Sequence, residues 1–492
     1  VTAPTIRPND APSSFARAVA GEAAGESLIV LSDVHLGSDL DDLHPGRARR
    51  ARAVDEDLVR LLSHYRHAPA PDGRWRLVIA GDFIDFIGMA LHPSGEGVST
   101  PPNDDEREFG LGNAEDHARL KLRRVAARHA DVFAALSAFV VAGHSVTFVH
   151  GNHDIELHWE SVRATLREIL REHAGAQTEV DFGTAVDFAP WFYFVDGIAW
   201  IEHGHQYDAY CATEHVMAPL SPLDPRRIAR GFSEVLLRRV VRPTRGLAEH
   251  GHESLGIADY LAIGARLGLR GGFALVVRFV GAVVELFRLR RQHFADAAKA
   301  LRAEHERRIA LLAEATRIGV DRLRSLAALQ VPPVTRSIHG ILASVLLDRI
   351  ALGLISATAM IACAAVAVRH GHAFWLLPAT ILASWAVLHR QLARLRQIDP
   401  AEVLAERAGH LARLFPVAFV VMGHTHVPVE VPVHGARYIN VGAWAEEEGD
   451  GDRPLHRAPR THLVIRRGED GPVADLLAWD PEQASPRRFV RG

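Results

Sequence analysis

The chain has 492 residues, more than one ordinary domain accommodates, so two or more compact units, or one domain with a large insertion, are expected. A formal net charge of -3 supplies no overall field for gathering nucleic acid or other polyanions. The two cysteines, Cys211 and Cys363, offer neither a disulfide framework nor thiolate metal spacing, which points to a reducing compartment.

Residues 1–26 lack a basic start followed by an apolar core, so a disordered tail is expected there rather than a signal peptide. Residues 27–31 (SLIVL) read as a short strand feeding Ser32, Asp33, Val34, His35, Leu36 and Gly37. The D-x-H spacing lets a carboxylate and an imidazole point at one ion from a turn. Asp39, Asp41 and Asp42 read as a solvated loop, and residues 47–64 carry Ala, Val and Leu at helical spacing. The organising stretch is 77–85 (LVIAGDFID), an apolar run that stops at Gly81 and Asp82 and so reads as a buried strand delivering Asp82 to a sheet edge. A carboxylate has two equivalent hard donors, and Asp82 is expected to bridge two cations, one on each oxygen.

Residues 92–113, rich in Pro, Gly and acid, show no periodicity and read as a loop, and one long helix is expected over 114–141. A strand at 146–149 ends in His150, Gly151, Asn152, His153 and Asp154; packing gives no reason for Asn, His and Asp to adjoin there. Another strand at 197–201 ends in Glu202, His203, Gly204, His205, Gln206, Tyr207 and Asp208. From 212 to 405 the chain is rich in Ala, Leu and Arg, as a helical insertion would be. The strand pattern resumes at 417–421 and ends in Met422, Gly423, His424, Thr425, His426, Val427 and Pro428. Short strands follow at 437–441, 462–465 and 473–477, and 481–492 reads as a tail.

Collected in order, the strand ends supply Asp33, His35, Asp82, Asn152, His203, His424 and His426. These are oxygen and nitrogen donors without sulfur, which suits two divalent ions of intermediate hardness, Mn first, with Fe or Zn as alternatives. Such a pair can hold one water between them, lower its pKa, and clamp the attacking and leaving oxygens of a phosphoryl group.

The five blocks SDVHLG, GDFID, HGNHD, EHGH and GHTH resemble those of the calcineurin-like metallophosphoesterases, over residues 27–211 and 406–480. The resemblance implies an α/β fold, a sandwich of two mixed β-sheets flanked by helices with metals at the strand ends, here split by the 212–405 insertion. It implies one ion held by Asp33, His35, Asp82 and His426, and another by Asp82, Asn152, His203 and His424. It further implies that His153 protonates the leaving oxygen or neutralises its charge, with Asp154 orienting the ring. His205 is a rival to His203, which is preferred because it comes first after the strand and precedes Gly. Asp85 stands where the purple acid phosphatases of this family have a Tyr ligand, so it is expected beside the ligands rather than among them. Within the family the blocks are most similar to the UDP-2,3-diacylglucosamine pyrophosphohydrolases, which implies a phosphorylated small-molecule or lipid-linked substrate at the cytoplasmic face of the cell membrane. The length and the insertion depart from that branch.

Residues 350–368 contain no charge over 19 positions, nearly enough to cross a bilayer core as a helix, and 373–388 follow after a short polar break. A transmembrane hairpin over 350–388 is therefore expected, with the basic flanks Arg336, Arg349, Arg390, Arg394 and Arg396 on the cytoplasmic side. Ligand candidates lie on both sides of the insertion, so an even number of crossings is required. Residues 272–287 contain Arg278 and Glu285 and read as amphipathic. Competing readings are a soluble helical cap, a nuclease or cyclic-nucleotide phosphodiesterase of the same fold, and a scaffold without activity. Balanced charge and the apolar insertion argue against a nucleic-acid partner, and the full ligand set argues against a scaffold.

Overall fold

The computed structural model describes residues 26–43, 52–93, 97–175, 178–244, 257–371, 376–396, 400–445 and 458–490. The N-terminal tail, the start of the 47–64 helix, Arg245 and the polar break at 372 lie outside them. Six strands precede the long helical stretch: β1 (Glu26–Leu31), β2 (Arg74–Ala80), β3 (Ser145–Val149), β4 (Val186–Ala189), β5 (Phe192–Val195) and β6 (Gly197–Glu202). Six follow it: β7 (Val417–Met422), β8 (Val429–Val433), β9 (Ala436–Asn440), β10 (Thr461–Gly468), β11 (Gly471–Asp480) and β12 (Ser485–Arg488).

The fold is mixed α/β, with two mixed sheets. One runs β12-β11-β10-β1-β2-β3-β4, with β1 to β4 parallel and β10 to β12 antiparallel; the other runs β5-β6-β7-β9-β8, with β6, β7 and β9 parallel. Alternate residues of β1 and β2 serve two different cores. Leu28, Val30, Val78 and Ala80 pack with Tyr193, Ile201, Val421 and Ile439 between the sheets. Ile29, Leu31, Leu77 and Ile79 pack under helices on the outer face. Burial on both faces is why these strands are unbroken apolar runs in the sequence.

Several elements differ from the sequence reading. The expected 114–141 helix is two, Glu115–Arg128 and Ala130–Val141, broken at His129. The His129 ring accepts from the Gly37 backbone N–H at 3.2 Å and sits 2.5 Å from an Asp55 carboxylate oxygen, so the break ties the loop after β1 to the helical layer. The 92–113 loop contains a helix, Asp104–Phe109, closed by a reciprocal Asn103–Glu106 capping box. Residues 186–189 and 192–195 are strands too short to show a period, 429–433 adds an alternating edge strand, and the expected 481–492 tail contains β12. Being a polar edge strand, β12 is held by backbone pairing with β11 rather than by an apolar pattern.

Helices of the long stretch pack against the second sheet and the loops before it. Ile309, Leu312, Leu323 and Leu326 from its helices share a core with Trp200, Val420 and Tyr438 of the second sheet. Arg238 donates to the Leu111 and Gly110 carbonyls at 3.1 and 2.6 Å, and Arg227 pairs with Glu106. Among the described residues one helical segment, Leu347–Arg369, is long and apolar enough to cross a membrane, and little of it is buried inside the protein. Its neighbour, the Leu376–Arg396 helix, falls short of that combined length and hydropathy, with Pro378 inside its apolar run, and residues 372–375 of the expected hairpin lie outside the described residues.

Candidate metal centre

Parallel strands place their carboxyl ends on one edge of a sheet, and the loops leaving those ends carry the candidate residues. Asp33 and His35 follow β1, Asp82 follows β2, Asn152 and His153 follow β3, His203 follows β6, and His424 and His426 follow β7. Asp33, His35, Asp82, His424 and His426 all adopt left-handed backbone, with φ between 50° and 69°. Only ten non-glycine described residues do so, and half of them are these five. Each costs about 1 kcal/mol or more, which is sustained only where surrounding structure fixes the backbone. Here the Asp33 amide donates to Gly81 O at 3.2 Å, and the Val34 and His35 amides both donate to Asp82 O at 2.9 Å.

Side chains separated by almost four hundred positions meet. His426 Nε2 lies 3.0 Å from Asp33 Oδ1, and His35 Nε2 lies 3.8 Å from both Asp33 Oδ1 and Asp82 Oδ2. His203 Nε2 is 3.1 Å from Asp82 Oδ2 and 3.1 Å from Asn152 Oδ1. Asp33, His35 and His426 form one group with ligand atoms within 4.8 Å of one another, and Asp33, Asp82 and His203 form a second. The Asp82 carboxylate does not offer one oxygen to each side. Its Oδ1 accepts the His153 backbone N–H at 2.8 Å, which leaves Oδ2 alone between His35 and His203.

The tautomer of His203 is fixed by its backbone partner. Nδ1–H donates to Ala80 O at 2.9 Å, so Nε2 is the nitrogen facing Asp82 and Asn152, both of which present oxygen acceptors. Burial works against a charged ring, yet the Asp82 and Asp33 carboxylates push the His203 pKa up to about 9. Burial likewise opposes ionisation of Asp33 and Asp82, and the surrounding imidazoles still hold both well below the usual carboxylate range. A cation among these atoms would do what the extra proton on His203 does. The donor set, carboxylate and amide oxygens with imidazole nitrogens, fits a divalent ion of intermediate hardness.

His424 takes a different place from the one expected. Its amide donates to Asp33 Oδ2 at 3.1 Å, but its ring Nε2 pairs with Asp208 Oδ2 at 3.1 Å, in a third group with Cys211. The ring stands 5.3 Å from that of His203, so Nδ1 is the nitrogen left for an ion shared with it. Asp208 was legible only as the last polar residue after EHGHQY and drew no role. His205 accepts from Gln206 Nε2–H at 2.9 Å, and His203 alone of the two faces Asp82.

His153 and Asp154 also differ from expectation. Asp154 does not orient the His153 ring: its carboxylate accepts the Phe83 and Gly151 amides at 2.8 and 2.7 Å and so clasps two ligand loops together. The ring is held instead by Asp85, whose Oδ1 lies 2.7 Å from His153 Nδ1. Two glycines admit the carboxylates. A Cβ on Gly151 would fall on the Asp82 carboxylate, and one on Gly423 would fall on Ser32 and the Asp33 carboxylate.

The fold and site thus define a mixed α/β protein whose strand-end Asp, His and Cys groups can hold a metal ion. No protein-family model matches the chain, and no curated protein matches it.

Proposed function

We propose that the protein is a hydrolase of a phosphoester or pyrophosphate bond, dependent on two divalent ions, with the calcineurin-like metallophosphoesterase fold and a helical insertion between β6 and β7. The observation that carries this reading is Asp82 Oδ2, which stands 3.8 Å from His35 Nε2 and 3.1 Å from His203 Nε2 and so lies between the two sets of candidate ligands. Asp33, His35, Asp82 and His426 would hold one ion, and Asp82, Asn152, His203 and His424 the other, with Mn as the expected metal. Ions bound there would supply positive charge to the phosphoryl oxygens and a water acidified enough to act as nucleophile near neutral pH. Asp85 holds His153 through Nδ1 and leaves Nε2 as the nitrogen to meet a leaving oxygen, where it delivers a proton. The left-handed loops keep these groups in place before substrate arrives, so no ordering cost falls on the reaction.

The substrate is proposed to be lipid-linked or a nucleotide sugar, handled at the cytoplasmic face of the membrane. Support comes from apolar side chains exposed on two helices. Leu269, Phe273, Val276, Val280 and Val284 line one stripe of the Gly268–Arg290 helix, and Leu354, Ile355, Ile361 and Val368 are exposed on the Leu347–His370 helix.

The test is a hydrolysis screen of purified protein with Mn, comparing nitrophenyl phosphates, cyclic nucleotides and UDP-diacylglucosamine. Turnover should require Mn and be lost in His426→Ala together with part of the bound metal. A metal-independent rate, or full metal content and rate in His426→Ala, would refute the assignment.

A further inference from the structure

The group formed by Asp208, Cys211 and His424 has its three ligand atoms within 4.8 Å of one another and shares only His424 with the two sets of candidate ligands. A turn holds its first two members side by side: the Cys211 and Ala212 amides donate to Asp208 O at 3.0 and 2.7 Å, and the Cys211 thiol is hydrogen-bonded to the Asp208 carboxylate. Asp208 Oδ1 accepts the Tyr210 amide at 2.9 Å, which leaves Oδ2 to the His424 ring, 3.1 Å from Nε2. All three residues are partly exposed, unlike Asp33, Asp82 and His203, and Cys211 lines a cavity of about 330 Å³ that gives an ion a path to the thiol.

Zinc takes four ligands in a tetrahedron with nitrogen and oxygen about 2.0 Å away, so two such ligands stand about 3.3 Å apart. The 3.1 Å between His424 Nε2 and Asp208 Oδ2 is close to that edge, and an ion can replace the proton between them with little movement. The 4.8 Å limit on the group leaves the Cys211 sulfur at most a short swing from coordination. Solvent water completes the tetrahedron. Sulfur selects the metal: zinc accepts a thiolate readily, whereas Mn prefers oxygen and nitrogen donors such as those around Asp33 and Asp82.

A neutral imidazole has one lone pair. While Nε2–H of His424 donates to Asp208, that pair is on Nδ1, the nitrogen left for the second proposed ion. Zinc on Nε2 would move the ring proton to Nδ1 and release the thiol proton to the buffer. His424 can then serve one ion or the other, never both.

We infer that Asp208, Cys211 and His424 are a third cation site, selective for zinc over Mn, and that zinc bound there withdraws His424 from the second proposed ion and stops turnover. The site rests on its three ligands alone, and the inhibition rests on the hydrolase reading.

Cobalt(II), a coloured stand-in for zinc, tests the site on the full chain without turnover. Added to metal-free protein, it should give a sulfur-to-cobalt charge-transfer band in the near ultraviolet that persists in Cys363→Ser and vanishes in Cys211→Ser. Equimolar zinc should bleach the band and equimolar Mn should not. No band in the wild type, or a band kept in Cys211→Ser, would overturn the site; bleaching by Mn as readily as by zinc would overturn its selectivity. Inhibition is read on the Mn-loaded protein with nitrophenyl phosphate, where half-inhibition of Cys211→Ser should need about tenfold more zinc than the wild type. Equal zinc sensitivity, or none in the wild type, would overturn the inhibition. A charge-transfer band without turnover of any phosphate ester would uphold the site and refute the hydrolase reading, and Mn-dependent turnover without the band would do the reverse.

Discussion

Asp85 Oδ1 stands 2.7 Å from His153 Nδ1, and this contact joins the loop after β2 to the loop after β3 at the point where the proposed reaction would need a proton donor. Asp85 is fully buried, and the His153 and His35 rings hold its carboxyl below the usual range in spite of that burial. Asp85→Asn removes the charge that steadies the ring, and turnover should fall about ten- to a hundredfold with metal content retained. Asp154→Asn should act on stability instead. It costs one of two buried backbone hydrogen bonds, about 1–3 kcal/mol, read as a lower melting temperature with a wild-type pH–rate profile. An altered pH–rate profile in Asp154→Asn, with none in Asp85→Asn, would reverse these roles.

Small size at Gly151 and Gly423 leaves room for the Asp82 and Asp33 carboxylates. Gly151→Ala places a methyl group against the Asp82 carboxylate, and Gly423→Ala places one against that of Asp33. Each variant should bind Mn at least about tenfold more weakly, measured by equilibrium dialysis, because displacing a ligand oxygen by a fraction of an ångström breaks coordination. Unchanged binding in both would mean that these two carboxylates do not reach the ion.

In the proposed centre, metal and proton would compete at His203. Its pKa is raised from 6.5 to about 9 in the metal-free protein, so its contribution to stability is fully present below pH 6.5 and is lost as pH rises through 9. The melting temperature of metal-free protein should fall across that window. Mn should bind more tightly over the same rise and release a proton below pH 9. Calorimetric titration in two buffers of different ionisation enthalpy counts that proton; none released at pH 7 would contradict the raised pKa.

Exposed apolar residues on the Leu347–Arg369 segment predict membrane attachment. Val368 is 75 % and Ile361 71 % exposed. The full chain should float with vesicles and resist a carbonate wash. Leu354→Arg combined with Ile361→Arg should release it, since each buried charge costs about 3 kcal/mol in a bilayer. Release of the wild type by carbonate would leave a peripheral contact or a soluble cap.

The sequence was most legible where local pattern and burial agree. Strands β1, β2, β3, β6 and β7 showed as apolar runs because both of their faces are buried, and the polar cluster after each run marked Asp33, Asp82, Asn152, His203 and His424. Strands β4 and β12 carried no such mark, because β4 is only four residues long and β12 is polar.

Sequence by itself determined which residue types stand at the strand ends and in what order, since that is a matter of local composition. Tertiary structure decided which atoms meet. It gave His153 to Asp85 rather than Asp154, turned one Asp82 oxygen to a backbone amide and the other between His35 and His203, and paired His424 with Asp208. Spacing along a chain fixes which loops carry donors, but the direction of a side chain depends on backbone dihedrals and on neighbours contributed by other loops, and those exist only once the two sheets have packed together.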